Sequence, residues 1–287
     1  MTTEHSRVRD ILSGRIAPAE PRPAATVMLL REGPSPAPGS RVGRGDLQVY
    51  LLRRASSMPF APGAYVFPGG GVDERDADPR AGSTDVGWAG PTPRAWAERL
   101  GATEPLARAL VCAAVRETFE ESGVLLAGTS ADDVVADTRD DGWEADRQAL
   151  IDRSLSFAEF LDKRRLVLRS DLLRAWSQWI TPKVEPRRYD TRFFAAALPE
   201  GQQTRDVGGE ADRVAWMRPA DAVAGWERGE LRMLPPTVST CKDLAACGTL
   251  VGVMAAERGE IRPIEPELRE IDGRFRLVVP DGVDYPL

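Results

Sequence analysis

Between Ala113 and Val124 the chain reads Ala-Ala-Val-Arg-Glu-Thr-Phe-Glu-Glu-Ser-Gly-Val, and no other stretch limits the fold as tightly. Glu117, Glu120 and Glu121 recur at i, i+3 and i+4, which predicts a helix with three carboxylates stacked on one face. Ala113, Ala114, Val115 and Phe119 fill the rest of the turn and read as core, so the helix must be mounted on a larger apolar body. Like charges so placed repel by roughly 0.2–0.5 kcal/mol per exposed pair unless a cation neutralises them. Carboxylate oxygens suit hard divalent cations, Mg2+ or Mn2+; a merely solvated acidic face is the plain alternative. The helix is expected to start at Glu104 or Pro105, to run through Leu106, Leu110 and Val111, and to end at Gly123. The glutamates then occupy its last two turns, where the helix dipole disfavours them. A local rule broken in this way marks a functional site.

The flanking residues decide between the two readings. Arg116 precedes the first glutamate, Gly123-Val124 follow the last, and Phe67-Pro68-Gly69-Gly70 lie upstream. This pattern resembles the Nudix hydrolases, whose box reads Gly, five residues, Glu, seven residues, then Arg-Glu-U-x-Glu-Glu-x-Gly-U, with U bulky and apolar. Arg116 to Val124 match every fixed position of the second half, with Thr118 in place of the first U. In the first half, five residues on from Gly70, Asp76 stands where Glu is usual. Arg116 follows after 39 residues instead of seven, an insertion of 32.

The split box is similar to that of the peroxisomal-type coenzyme A diphosphatases. Further similar pieces are Leu51, Leu52, Arg54 and Ala55, then Pro62-Gly63, Trp179 to Pro182, Arg188 to Phe194, and Trp216 with Pro219. They span about residues 47 to 240. In the coenzyme A motif upstream of the box, Gly63 and Phe67 to Gly70 keep the spacing, Pro59 replaces the second Arg, and the Thr is missing.

Composition closes off other chemistries. A net charge of −6 argues against a nucleic-acid surface, which needs a basic face. The single histidine, His5, falls in a polar N-terminal stretch, so a His base, a Ser-His-Asp triad or a His-ligated zinc is not expected. Three cysteines, at 112, 241 and 247, lack metal-ligand spacing and suggest a reducing compartment, with Cys112 as core packing. No Lys/Arg stretch near the N-terminus leads into an apolar segment, so no secretory signal is expected. Leu244 to Ala256, the most apolar window, is too short to span a bilayer and reads as a buried helix. The expected setting is cytoplasmic. The expected partner is a small nucleotide-linked molecule, not nucleic acid or membrane, with a homodimer as an option.

The resemblance implies an α/β fold, a Nudix-type α/β/α sandwich with a mixed central sheet plus a helical insertion. Residues 1–22 read as a flexible arm. Residues 23–287 read as one domain with insertions at 73–103, inside the box, and at 130–180, helical. Strands are expected at Ala25–Leu30, Leu47–Arg53, Arg192–Leu198 and Arg213–Met217, and a hairpin at 267–279 around Asp272-Gly273. Helices are expected at Arg94–Leu100, from a capping box at Ser156, over Asp171–Trp179, at Pro219–Arg228 and over Thr237–Glu257. Asp132 to Asp146 reads as a solvated acidic segment.

For the site, the resemblance implies that Glu117, Glu120 and Glu121 ligate the metal and that Arg116 fixes Glu117. A distal carboxylate is expected as ligand or base; Glu210 is the candidate, with Asp206 and Asp212 as competitors. Gly69 and Gly70 would let backbone approach a ligand and offer N–H groups to phosphate. Arg54, Arg188 and Arg192 are candidate substrate contacts; Arg187 completes the basic cluster, and Lys183 and Tyr189 are weaker candidates. The 3′-phosphate of coenzyme A suits such a cluster, whose alternative use is pairing with the acidic 132–146 segment. The substrate expected is coenzyme A or acyl-coenzyme A. ADP-ribose or a nucleotide sugar is the alternative within enzymes, and a catalytically silent ligand sensor the alternative outside them.

Overall fold

The computed structural model describes residues 10–11, 13–33, 46–58, 61–77, 87–205, 211–271 and 274–279. Thirteen strands are described: β1 Arg22–Glu32, β2 Leu47–Arg54, β3 Tyr65–Val66, β4 Gly69–Gly71, β5 Trp88–Ala89, β6 Ala127–Gly128, β7 Val167–Arg169, β8 Leu173–Ile180, β9 Tyr189–Ala197, β10 Ala211–Met217, β11 Pro263–Ile264, β12 Glu267–Ile271 and β13 Arg274–Val278. The helices are α1 Pro93–Leu100, α2 Glu104–Ser122, α3 Asp141–Ile151, α4 Phe157–Arg164, α5 Pro219–Glu227, α6 Pro235–Cys247 and α7 Leu250–Ala255.

The central sheet runs β10-β2-β1-β9-β8-β11, with β3 added on β2 and β4 on β1. It is mixed: β1 and β9 are parallel, whereas β1–β2, β8–β9 and β2–β10 are antiparallel. Alternation along β1 makes two cores. Ala25, Val27 and Leu29 face α1 and α2, and Met28 and Leu30 face α5, α6 and α7. The expected α/β/α sandwich is therefore the observed architecture. In α2, Val111 to Val115 and Phe119 are fully buried, and Gly123 ends the helix at φ 73°, donating its N–H to Phe119 O.

Three expected elements are corrected. Asp171–Trp179 is not a helix: a 3-10 turn over Ser170–Leu172 leads into strand β8. The i, i+3 tryptophans imitate helical spacing, but β8 carries a bulge between Ala175 and Ser177 that leaves Trp176 without a partner in β9. The extra residue brings Trp176 and Trp179 onto the same face, buried in the second core and closed to a stacking role with substrate. The helical part of the 130–180 insertion therefore ends at Arg164. Next, the helix expected over Thr237–Glu257 is two helices. Gly248, at φ 72°, caps α6, and Thr249 caps α7 by accepting from Gly252 N. Finally, the acidic stretch 132–146 is not simply solvated. Asp140 caps α3, and Asp146, 3% exposed, receives Lys163 Nζ and Arg164 Nε at 2.5 and 2.6 Å.

The remaining expectations fall close to the observed elements. The Ser156 capping box, α1 and the 267–279 strand pair form, with Asp272-Gly273 outside the described residues. The N-terminal arm yields to strand at Arg22, three residues before the expected start, and His5 lies outside the described residues. A small sheet joins the two insertions: β5, from the box insertion, pairs with β7, which follows the helical part of the 130–180 insertion, and β7 pairs with β6. Phe119 of α2 stacks on Phe160 of α4 at 5.4 Å between ring centroids, so the helical insertion is seated on the back of the carboxylate helix.

Trp176→Ala is expected to lower the unfolding free energy by about 3–5 kcal/mol, the scale for emptying a large buried aromatic site. Urea denaturation checks this; a loss under 1 kcal/mol would mean that the bulge does not bury its tryptophan.

Candidate active site

The row of carboxylates on α2 faces one wall of a cavity of about 890 Å3. Glu117, Glu120 and Glu121 all line it, with Gly69, Gly70 and Gly71 of β4 opposite. Close approach to a carboxylate on one side and to β1 on the other explains the glycines. A Cβ on Gly70 would lie 2.4 Å from Glu117 Oε1, and one on Gly69 would lie 2.5 Å from Ala25 O. Gly69 N–H donates to Glu121 Oε2 at 2.7 Å. The glycines thus bring the strand against the helix, and at Gly69 the N–H expected for phosphate is already used by a carboxylate.

Arg116 holds the row. Its Nε and Nη2 each donate to Asp76 at 2.9 Å, Nη2 also to Gly71 O at 3.1 Å, and Nη1 to Glu117 at 2.8 Å and Glu120 at 3.1 Å. Asp76, only 1% exposed, sits on a 3-10 turn over Glu74–Ala77 that also accepts Asp73 N–H. It occupies the box position counted from Gly70, and the structure gives it the role of anchoring Arg116. The sequence carried its position but not its partner, because the box insertion separates them.

Electrostatics follow from burial. The Glu117 carboxyl is pushed up to about 7, first by desolvation and then by Glu120, with Arg116 opposing both. Glu120 is raised as well, chiefly by burial. Among the described residues no three Asp, Glu, His or Cys side chains converge as a preformed metal cage. The donor set nevertheless fits Mg2+ or Mn2+: carboxylate oxygens only, on an open wall, where Mg2+ takes one or two carboxylates and completes its shell with water and phosphate. Cys112 stays out of the chemistry, fully buried with its thiol raised by desolvation.

The other sequence candidates separate into two groups. Arg54 and Tyr189 line the cavity. Arg188 and Arg192 do not; they are buried and structural. Arg188 donates to Thr181 O, Ala19 O and Glu265, and Arg192 pairs with Asp190. Neither meets the acidic 132–146 segment. They lie in or next to β9, where alternation sends neighbours to opposite sides, and the cavity receives Arg187, Tyr189 and Thr191. Arg22 of β1, absent from the sequence-based set, joins them. Asp212 pairs with Arg53 at 2.6 Å, away from the cavity lining. Glu210 and Asp206 fall outside the described residues. From the helical insertion come Arg147, Leu150, Ile151, Arg153, Leu155 and Phe157.

A family model, the NUDT19 Nudix domain, matches residues 88–244, more than half of the chain. The chain belongs to this Nudix family. The acyl-coenzyme A diphosphatase NUDT19 of Xenopus laevis is 26% identical over 227 residues, covering 69% of this chain and 60% of the relative. That of Gallus gallus is 28% identical, covering 75% and 65%. The chain thus spans somewhat under two thirds of the length of these two relatives. Among solved structures, a Nudix hydrolase from Alicyclobacillus acidocaldarius superposes with a TM-score of 0.68 at 28% identity, covering 85% of this chain and 99% of its own.

Two outcomes follow for this Nudix site. Asp76→Asn, which leaves Arg116 buried without its bidentate partner, is expected to cost about 3–5 kcal/mol in urea denaturation. In the cation-free protein, Glu117 binds its proton more tightly folded than unfolded. Its stabilising contribution is therefore present below pH 4.5 and is lost as pH rises through about 7. Thermal melts in EDTA should show that loss, and added Mg2+ should raise Tm more at pH 8 than at pH 5.5. An equal Mg2+ effect at both pH values would remove Glu117 from the cation site.

Proposed function

We propose that the chain hydrolyses the pyrophosphate bond of a nucleoside diphosphate-linked substrate, coenzyme A or acyl-coenzyme A, with the aid of Mg2+ or Mn2+. The products are 3′,5′-ADP and 4′-phosphopantetheine or its acyl derivative. The observation that carries this reading is the convergence of Glu117, Glu120, Glu121 and Arg116 with a glycine strand on one large cavity. Membership in the NUDT19 Nudix family and the names of the relatives support the choice of substrate.

In this proposal Glu117, Glu120 and Glu121 hold the cation. Bound there, a divalent cation lowers the pKa of water and neutralises charge developing on the phosphoryl oxygens. The rest is the work of the chain. Arg116 keeps the Glu117 and Glu120 carboxylates side by side despite their repulsion, so the row needs no reorganisation when substrate enters. Glu117 carries its proton near neutrality in the free protein and presents a full carboxylate only above that range. Leu52, Val66, Ile151 and Leu155 give the cavity apolar surface that displaces water from the reacting centre. Glu210 remains the proposed base. The three cysteines are free thiols, in keeping with the cytoplasmic setting proposed here. Among the described residues no helix is long and apolar enough to cross a membrane.

The test is mass spectrometry of products from purified protein, Mg2+ and a panel of coenzyme A, acetyl-coenzyme A, ADP-ribose, NADH and ATP. Formation of 3′,5′-ADP and 4′-phosphopantetheine, absent with Glu120→Gln, is the expected result. AMP with ribose 5-phosphate would move the substrate to ADP-ribose. No product from any of the panel, with folded protein, would replace hydrolysis by ligand sensing.

A further inference from the structure

The arginines that line the cavity are not equivalent. Arg75 is committed to Asp73, Arg116 to Asp76 and the glutamates, Arg147 to Glu144 and Glu120 O, and Arg153 lies within 3.8 Å of Asp73. Arg22 and Arg187 differ. Both are exposed, and among the described residues neither takes part in an ion pair. They come from adjacent chain segments. Arg22 opens β1, where it is in register with Tyr189 of the parallel strand β9, and its N–H donates to Arg188 O. Arg187 lies two residues before Tyr189. The two side chains therefore line the same part of the wall, with Tyr189 and Thr191 beside them.

We propose that Arg22 and Arg187 form a phosphomonoester subsite, separate from the pyrophosphate position, that reads the 3′-phosphate of the nucleotide half of the substrate. Two guanidinium groups without carboxylate partners present planar pairs of donors, which match phosphate oxygens in bidentate geometry. The pyrophosphate itself belongs at the glutamate row. A second cationic site in the same cavity therefore calls for a second anionic group on the ligand. A nucleoside 3′-phosphate supplies one; ADP-ribose does not. This inference rests on the proposed function and narrows it to nucleotides carrying a terminal phosphate.

Two measurements run in parallel on the full chain. Calorimetric titration compares 3′,5′-ADP with 5′-AMP for wild type, Arg22→Ala, Arg187→Ala and the double variant. Hydrolysis in Mg2+ compares coenzyme A with 3′-dephospho-coenzyme A. Wild type should bind 3′,5′-ADP roughly 10- to 100-fold more tightly than 5′-AMP, the scale of added charge-assisted hydrogen bonds. Each single variant should shrink that ratio and the double variant should bring it close to one, with 5′-AMP affinity unchanged. Hydrolysis should show the same loss of preference in kcat/KM, with the dephospho substrate unaffected. Equal binding of both nucleotides by wild type, or a preference surviving in the double variant, overturns the subsite. Hydrolysis of both substrates without preference would sink the subsite and keep the hydrolase. A binding preference without hydrolysis would keep the subsite and sink the hydrolase.

Discussion

One guanidinium group fixes the site. Arg116 makes five hydrogen bonds, to Asp76 twice, to Gly71 O, to Glu117 and to Glu120, and so ties the 3-10 turn, the glycine strand and the helix into one unit. Only a planar fork with donors in several directions can do this; a lysine ammonium has neither the geometry nor the reach. Burying so many charges is costly, and each partner removed leaves another unpaired in low dielectric. The arrangement is therefore complete or unstable, with little between. That explains why a carboxylate row can be held in place before any ligand arrives.

The end of the same helix shows how the fold tolerates acidic residues where the dipole opposes them. The last carbonyls of α2 are all but fully answered: Phe119 O by Gly123 N–H, Glu120 O by Arg147 at 2.7 Å, and Ser122 O by Arg205 N–H at 3.1 Å. Positive charge from Arg147 thus reaches the helix terminus from the helical insertion. Thr118, where the family pattern has a bulky apolar residue, turns its hydroxyl back on Ala114 O at 2.7 Å and stays buried. The helical insertion is a structural part of the site, since it brings Arg147 to the end of α2.

What the sequence revealed follows this division. The carboxylate face, the end at Gly123 and the Ser156 capping box are local patterns, each legible from a few neighbouring residues, whereas the sandwich was implied only by the resemblance of the box to a known family. Gly248-Thr249 was legible in principle as a cap followed by a cap, but the apolar run masked it. The β8 bulge was not legible, since an unpaired Trp176 in a strand and a helical i, i+3 pair look alike until a partner strand sets the register. Arg188 and Arg192 part from the expected cluster for a related reason. A cluster of arginines in sequence becomes two populations once a strand alternates, and the choice between buried partner and open cavity depends on long-range contacts with Glu265 and with Ala19 O.

The charge around the cavity makes the same point on a larger scale. The protein carries −6 overall, which repels a polyanionic substrate at long range. Yet the cavity is lined by seven arginines against five carboxylates, a local excess of positive charge inside an acidic molecule. Most of those arginines are consumed in holding carboxylates, so the excess available to a ligand sits on the few that are not. A divalent cation at the glutamate row would add its charge to the same side of the balance. For the proposed anionic substrate, attraction would then be a property of the cavity and not of the surface.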